Sequence, residues 1–339
     1  MSSHGMGGES MGGDGLSGDE PLSDEGSRVA GRGPLLMAGV AQARGGRPYM
    51  EDRHGIIHDM GTLHPRLGGV HFLLVLDGHG GSRCAEFVQS ELHKRLGVLA
   101  AAGELGFGSS SLQVEAAFTR TFESIDADFL TQARAQRYGD GTTVLCALVR
   151  GSTLDVANVG DSRAVLGRRP DRQPAEVQRA MRERDCAAVR LSVDHKPDLP
   201  DETSRVQSRG GIVRNVSGCW RVVSPNAQTM LAVSRAIGDR DLKDSTTLPL
   251  ISSTPFVVSH ALTPRDQFVI LASDGIWDVM EDATAVKLVA EVLKRPIPQS
   301  AGQSGAAAAK LQAQAAAETL VRRAAQLGSL DNTTALVGY

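Results

Sequence analysis

The sequence is poor in cysteine and in aromatic residues, and both shortages exclude classes of protein. Its 339 residues contain four cysteines, and no two of them form a C-x-x-C pair, so a zinc site of the usual spacing is not expected. Few, scattered thiols in a chain of this length are typical of a reducing compartment. Aromatic residues make up 4% of the chain, so we expect a core built mainly from Leu, Val, Ile and Ala.

Long hydrophobic runs and a strong net charge are also absent. No apolar run approaches the roughly 18 residues of a membrane-spanning helix, and the N-terminus lacks the basic start and apolar stretch of a secretory signal. Ser2 stands where N-myristoylation requires glycine. The 36 basic and 39 acidic residues give a net charge of −3, which does not favour nucleic acid or an anionic membrane as a partner. We expect a monomer of the cytoplasm, the nucleus or both.

The N-terminal segment differs in composition from the rest of the chain. Residues 1–33 are rich in Gly, Ser and acidic residues and hold too little apolar surface to offset the entropy lost on ordering. We predict a disordered tail there and a single folded domain over residues 34–339. With 41% hydrophobic residues in the whole chain, a sizeable core is expected in that domain.

Hydrophobic periodicity predicts a mixture of strands and helices. The apolar runs Val70–Leu76 and Phe268–Ala272 predict strands buried on both faces. A period of two over residues 144–166, with turns at Gly151 and Gly160, predicts an antiparallel meander. A helix over residues 112–137 is predicted by a stripe at helical spacing that consists of Phe118, Phe122, Ile125 and Phe129.

Two segments are predicted to be insertions. The charged stretch 168–190 is expected to be a surface insertion in a hairpin, and the segment 296–309 a loop insertion before a helix over residues 310–327. A short helix over residues 201–208 is expected to end at Gly210-Gly211. Because strands follow one another in hairpins rather than in β-α-β units, we predict an α+β fold. Its form would be a β-sandwich of two antiparallel sheets flanked by helices.

The positions of the acidic residues carry the chemical information. Asp77 and Asp274 each end an apolar strand and are each followed by glycine, Asp161 sits in a turn between strands, and Asp331 precedes the last strand. Acids at strand ends can converge at one end of a sandwich, where a divalent cation would relieve their repulsion. Oxygen ligands without cysteine favour Mg²⁺ or Mn²⁺. Two such ions would hold and deprotonate a water for attack on phosphorus.

Two further side chains fit the same chemistry. Arg47 can hold a phosphate through its guanidinium, and His79 can protonate a leaving oxygen as general acid. Each motif alone has a simpler explanation, since an isolated Asp-Gly is more often a turn, by about four to one. A lone histidine or arginine is usually a surface group. The ordered set of motifs is what favours the catalytic interpretation.

At these residues the chain resembles the metal-dependent type 2C protein phosphatase family (the PPM family). The resemblance covers residues 35–339 and implies a protein serine/threonine phosphatase acting on phosphoserine and phosphothreonine of phosphoprotein substrates, with signalling proteins as targets. The matching segments are Arg47-Pro48-Tyr49-Met50-Glu51-Asp52, Val75-Leu76-Asp77-Gly78-His79-Gly80-Gly81, Gly141-Thr142-Thr143, Ala157-Asn158-Val159-Gly160-Asp161-Ser162-Arg163, Asp194-His195-Lys196-Pro197, Ala232-Val233-Ser234-Arg235-Ala236-Ile237-Gly238-Asp239, Ala272-Ser273-Asp274-Gly275-Ile276-Trp277-Asp278 and Asp331-Asn332-Thr333-Thr334.

The resemblance also implies two metal sites at one end of the sandwich. Asp77 would bridge the two ions. Asp274 and Asp331 would complete one site, and Glu51 with the carbonyl of Gly78 would complete the other.

Further roles are implied around these sites. Asp52 would orient metal-bound water. Asp161 and Asp274, with Asp278 as a further candidate, would form a weaker third metal site. Arg47 would bind the phosphate, and His79 would act as general acid.

Three other functions remain open at this point. A pseudophosphatase would keep the fold and bind partners without turnover, although every expected acid is present. A phosphohydrolase of small metabolites would use the same metal chemistry. A structural assembly protein is disfavoured, because clustered buried acids lower stability when no metal is bound. Trp220, in the presumed flap, does not match the position used by plant hormone-regulated members, so a hormone-receptor partner is not expected; it could face substrate or pack within the flap.

Overall fold

A computed structural model describes residues 36–170, 186–226, 228–295 and 305–339. The predicted tail and its boundary at Pro34 lie outside these residues, as do parts of both predicted insertions. In chain order the strands are β1 (Ala38–Ala43), β2 (Arg53–Ile57), β3 (Val70–Leu76), β4 (Gly78–His79), β5 (Gly141–Thr142), β6 (Val144–Arg150), β7 (Thr153–Val159), β8 (Arg163–Arg168), β9 (Ala187–Arg190), β10 (Ile212–Val216), β11 (Cys219–Val223), β12 (Met230–Leu231), β13 (Ile237–Gly238), β14 (Phe256–Ala261), β15 (Asp266–Ala272) and β16 (Thr333–Gly338).

Helices follow the strands at intervals. Two short 3₁₀ turns, Met60–Thr62 and Pro65–Leu67, precede β3. None of the helices in the described ranges is long and apolar enough to cross a membrane. In chain order they are α1 (Arg83–Ala101), α2 (Ser111–Gln136), α3 (Pro200–Ser208), α4 (Arg240–Lys243), α5 (Asp274–Trp277), α6 (Asp282–Leu293) and α7 (Gly305–Gln326).

Two five-stranded sheets form the centre of the fold. One has the strand order β1-β16-β15-β8-β9 and the other β14-β7-β6-β3-β2. Neighbouring strands in both sheets are antiparallel. Two three-stranded sheets, β10-β11-β12 and β13-β5-β4, lie outside this pair. The predicted α+β sandwich of antiparallel sheets flanked by helices is confirmed.

The core has three layers, as a helix-covered sandwich requires. Leu73 and Val75 of β3 face the space between the sheets, whereas Phe72 and Leu74 face α1 and α2. The prediction of a strand buried on both faces is therefore confirmed. On the outer face of the other sheet, α6 and α7 pack through small and branched residues, which include Val286, Val289, Ala316 and Leu320. The predicted helical stripe is buried in α2.

One topological prediction was wrong. β6 and β7 form the expected hairpin, but β8 does not continue it as a meander. After Gly160, whose φ of +92° is easily adopted only by glycine, the chain passes to the other sheet, where β8 pairs with β15. The alternating pattern is the same for a strand in either sheet, so it could not decide the partner. This crossing places Asp161 between the sheets.

The structure describes part of each predicted insertion, and the outcome differs between the two. β8 and β9 pair as an antiparallel hairpin, as predicted for the charged stretch, whose central residues 171–185 lie outside the described ranges. The prediction of a loop over residues 296–309 was wrong for residues 305–309, which already belong to α7. Their Gly-Ala-Ala-Ala-Ala sequence explains this, because alanine has the highest helix propensity.

A small subdomain projects near one end of the sandwich. It consists of α3, the sheet β10-β11-β12 and the chain that follows it, and we call it the flap. The predicted short helix is confirmed as α3, and Gly210 follows it with a φ of +84°. The flap has an apolar core of its own, which contains Val206, Val222 and Leu250.

Asp155→Asn is expected to lower the free energy of unfolding by about 3–5 kcal/mol, because it leaves a buried guanidinium without its counter-charge. Arg150 Nε donates to Asp155 Oδ2 at 2.6 Å, and the two side chains are 4% and 0% exposed. Urea unfolding measures the loss. Asp128→Asn is the matched control, since its pair with Arg95 lies on the surface and should contribute less than about 1 kcal/mol. Equal losses in the two variants would contradict the prediction.

Candidate metal centre

Three of the predicted acids meet at one end of the sandwich. Asp77 follows β3, Asp161 follows β7 and Asp274 follows β15. One carboxylate oxygen from each lies within 4.8 Å of the others. Since β3 and β15 belong to different sheets, this cluster exists only because the two sheets pack together with these strand ends aligned.

The backbone around Asp77 is held by two threonines. The hydroxyl of Thr142 and the amide of Thr143 donate to the Asp77 carbonyl at 3.1 and 2.9 Å, and the Asp77 amide donates to the Thr143 hydroxyl at 3.2 Å. The Thr143 hydroxyl also lies 2.8 Å from that of Ser162. These contacts fix Asp77 and the turn that carries Asp161, which explains why the Gly141-Thr142-Thr143 segment accompanies the acids.

The clustered carboxylates disfavour their own ionised forms. Burial raises the pKa of Asp77 well above its usual range, and the charges of Asp274, Asp52 and Asp161 raise it further. Burial, then the charges of Asp161 and Asp278, raise the pKa of Asp274 to about 8. A divalent cation among these oxygens would reverse both effects. The donor set therefore fits a hard cation that binds oxygen.

Asp52 lies behind this cluster and is buried. Its Oδ2 accepts hydrogen bonds from the hydroxyls of Ser273 at 2.9 Å and Thr334 at 2.6 Å. Burial raises its pKa to about 6 despite these two donors. Its other oxygen, Oδ1, is buried without a hydrogen-bond partner among the described residues. An unpaired buried acceptor is costly, and a hydrogen bond with the Asp77 carboxyl group lowers the pKa of Asp52.

Lys196 is a member of the site that sequence reasoning missed. Its ammonium donates to Asp161 Oδ2. Burial alone lowers the pKa of Lys196, but the charges of Asp161, Asp274 and Asp278 outweigh burial and raise it. Asp278 itself is exposed at the end of α5. The chain thus supplies its own cation at the place where the resemblance implies a third metal ion.

A cavity of about 300 Å³ opens above the acids. The Gly78 backbone approaches Glu51 so closely that a Cβ on residue 78 would lie 2.5 Å from the Glu51 carbonyl oxygen, which explains the glycine. Asp52 and Asp278 do not line the cavity. The predicted residues that do are Arg47, Glu51, Asp77, Gly78, His79, Asp161, Asp274 and Asp331.

Arg47 lies at the rim and contacts a predicted ligand. Its Nη2 donates to Asp331 Oδ2 at 2.5 Å, and the two side chains are 58% and 37% exposed. The neighbouring Asn332 holds this loop, since it accepts from the Glu51 amide at 2.7 Å and donates to the carbonyls of Arg44 and Tyr49. Arg47 is therefore a tethered but accessible cation beside the acids.

His79 has a partner that sequence reasoning did not assign. Its Nε2 lies 2.8 Å from Oδ1 of Asp239. Burial by itself lowers the pKa of His79, but the Asp239 carboxylate outweighs burial and the pKa is raised. Asp239 has a φ of +57°, uncommon for an aspartate. Gly141 leaves room for the pair, because a Cβ there would lie 2.3 Å from Asp239 Oδ2 and 2.4 Å from His79 Nε2.

The flap forms the remaining wall of the cavity. Arg221 and Leu231 line it, whereas Trp220 does not and is 42% exposed on the other face of β11. Sequence reasoning missed Arg221. The alternation of side chains along β11 would have placed it on the cavity side only if the bounds of that strand had been known. A cavity with clustered acids, an arginine, and a histidine paired with an aspartate suits a metal-dependent hydrolase of phosphate esters.

Comparisons with known proteins agree with this class. The family pattern described as Protein phosphatase 2C matches residues 37–333. The human Integrin-linked kinase-associated serine/threonine phosphatase 2C is 33% identical over 305 residues, which cover 88% of this chain and 71% of that protein. The rice (Oryza sativa subsp. japonica) Probable protein phosphatase 2C 59 is 34% identical over 299 residues, covering 88% and 74%. A crystal structure of serine-threonine phosphatase 2C from Toxoplasma gondii has the same fold, with a TM-score of 0.72 at 24% identity, covering 90% of this chain and 95% of that one.

The chain belongs to the protein phosphatase 2C family. It is a metal-dependent protein serine/threonine phosphatase, as the resemblance of its motifs predicted. Its substrates are accordingly phosphoproteins, and the comparisons do not favour the pseudophosphatase alternative.

Gly141→Ala is expected to lower kcat on a phosphothreonine peptide by about 10- to 100-fold, because the added methyl group separates His79 from Asp239. Steady-state kinetics with Mn²⁺ present would measure the loss. The matched control is Gly139→Ala, two residues away, where the nearest contact of the new Cβ is Asp241 Oδ2 at 3.5 Å. A Gly141→Ala enzyme as active as this control would show that the pair does not require the glycine.

Proposed function

We propose that the protein uses two divalent cations, Mg²⁺ or Mn²⁺, and that Asp77 would be a ligand of both. Asp274 and Asp331 would complete one site, and Glu51 with the Gly78 carbonyl the other. The observation that supports this most directly is the approach of three carboxylates to within 4.8 Å. The raised pKa values of Asp77 and Asp274 agree, because acids this close need a counter-charge to stay ionised.

At the third, weaker metal site, formed by Asp161 and Asp274 with Asp278 as a further candidate, a metal ion would compete with a lysine. The Lys196 ammonium already contacts Asp161, and a third ion would have to displace it. The two charges would repel if both remained. We therefore expect any ion at this position to bind more weakly than the other two.

The side chains around the cavity have separate roles in the reaction. When bound, the two ions supply an activated water and neutralise charge on the phosphoryl oxygens. Arg47 exchanges its contact with Asp331 for the substrate phosphate. Asp52, which lies behind the acids, would help to orient the attacking water. Asp239 holds Nε2 of His79, so Nδ1 is the ring nitrogen that gives a proton to the leaving oxygen.

The cellular role and location are part of the same proposal. We propose dephosphorylation of signalling proteins by a monomer in the cytoplasm, the nucleus or both. Scattered cysteines support a reducing compartment, and a small net charge supports phosphoproteins rather than nucleic acid or membranes as partners.

The test of this proposal is hydrolysis of a phosphothreonine peptide with Mn²⁺ or Mg²⁺, then with excess EDTA. We expect turnover with metal, complete loss with EDTA and recovery when metal is restored. Asp77→Asn should lower kcat by more than about 100-fold, beyond the roughly 10- to 100-fold typical of groups that only support a ligand. Calorimetry should show weaker Mn²⁺ binding in this variant and unchanged binding in Asp128→Asn. Unchanged binding or turnover in Asp77→Asn would overturn the assignment.

His79→Ala is expected to affect poor leaving groups most. We expect kcat on the phosphothreonine peptide to fall by about 100-fold, since an alkoxide cannot leave unprotonated. Nitrophenolate leaves without a proton, so hydrolysis of p-nitrophenyl phosphate should fall by much less. Parallel measurements on the two substrates make the comparison, and equal losses would contradict the general-acid role.

A further inference from the structure

Two arginines lie directly opposite each other in the flap. Arg214 of β10 and Arg221 of β11 are cross-strand partners in an antiparallel pair, so their side chains point to the same face of the sheet. Like charges in this position destabilise a sheet. The arrangement therefore lowers the stability of the flap unless an anion lies between or beside them.

No anion from the chain meets this need within the described ranges. Neither arginine makes a hydrogen bond or ion pair with another described residue, and both are at least partly exposed. Several other arginines have carboxylate partners: Arg168 binds Asp266 at 2.7 Å, and Arg235 binds Glu202 at 2.6 Å. The flap arginines have no such partner among the described residues, and they differ from other unpaired arginines in lying directly opposite each other.

The pair extends outward from the catalytic cavity. Arg221 lines that cavity, and Arg214 lies one strand further out, a spacing of about 4.8 Å. An extended peptide advances about 3.3 Å per residue. Side chains one to three positions from a phosphorylated residue in the cavity would therefore reach the two guanidinium groups.

We infer that Arg214 and Arg221 form a subsite for an anionic side chain flanking the phosphorylated residue of the substrate. The anion is a carboxylate of Asp or Glu, or a second phosphate, since guanidinium groups bind both through paired hydrogen bonds. The inference rests on the proposed function, because it assumes that a phosphorylated residue occupies the cavity. It defines the substrate class as phosphopeptides with acidic or multiply phosphorylated surroundings.

The experiment compares phosphothreonine peptides that differ at one position. Gln, Glu or phosphoserine is placed one, two or three residues to either side, and kcat/KM is measured with Mn²⁺. For the unmodified enzyme we expect at least one position where Glu exceeds Gln by about fivefold, the upper range for a partly exposed ion pair, and where phosphoserine exceeds Glu. A response to phosphoserine alone would identify the second phosphate as the ligand. No position with any preference for an anion would overturn the inference.

Variants that change the charge of Arg214 and Arg221 test whether these two residues cause the preference for an anion. Arg214→Ala should reduce the Glu-over-Gln ratio, and the double variant Arg214→Glu, Arg221→Glu should invert it in favour of Lys. Arg209→Ala is the matched control, since it removes a charge from the same subdomain, where Arg209 donates to the Pro249 carbonyl; its ratio should be unchanged. A ratio that survives the double variant would overturn the inference.

A small substrate separates this inference from the proposed function. Hydrolysis of p-nitrophenyl phosphate, which has no flanking residues, should be nearly unchanged in Arg214→Ala while its peptide preference falls. If Arg221→Ala lowers the rates on all peptides and on p-nitrophenyl phosphate by one common factor, Arg221 binds the reacting phosphate and the subsite is refuted. Loss of all metal-dependent turnover in the unmodified enzyme would instead refute the proposed function. Thermal unfolding should show Arg214→Ala at least as stable as the unmodified protein. Clear destabilisation would show that Arg214 has a structural role and would overturn the inference.

Discussion

Repulsion among closely spaced, partly or fully buried carboxylates is the constraint around which this end of the protein is organised. Asp77, Asp161 and Asp274 approach within 4.8 Å, and burial together with their mutual charge raises the pKa of Asp77 and Asp274. Such a cluster is unfavourable by itself, so the fold has to hold it in place. It does so with hydrogen bonds from the Thr142 hydroxyl and the Thr143 amide to the Asp77 carbonyl and with the apolar packing between the two sheets.

The surroundings of the cluster show how its charge is distributed. Lys196 neutralises Asp161, and Arg47 neutralises Asp331 at the rim. Both cations are supplied by the chain, and both contact acids at the edge of the cluster rather than Asp77. The centre therefore keeps its excess of negative charge, which is where the proposed cations bind. The cavity combines a fixed acidic floor with an arginine that can exchange partners.

The wall of the cavity differs in character from its floor. The floor is built on strand ends of the sandwich, whereas the flap carries its own small apolar core and presents Arg214 and Arg221 without counter-ions. Chemistry and substrate choice thus lie on different parts of the structure, as is common where a rigid scaffold supports a variable binding segment.

The candidate acids, the sandwich class and the buried strands could be predicted from the sequence alone, because an acid-glycine pair after an apolar run and a period of two are local signals. The sequence did not determine which sheet β8 joins, since alternation looks the same in either sheet. Nor could it pair Asp239 with His79, Lys196 with Asp161 or Arg214 with Arg221. Those contacts join residues from separate elements, and only the packing of the two sheets and the register of the flap decide which distant side chains meet.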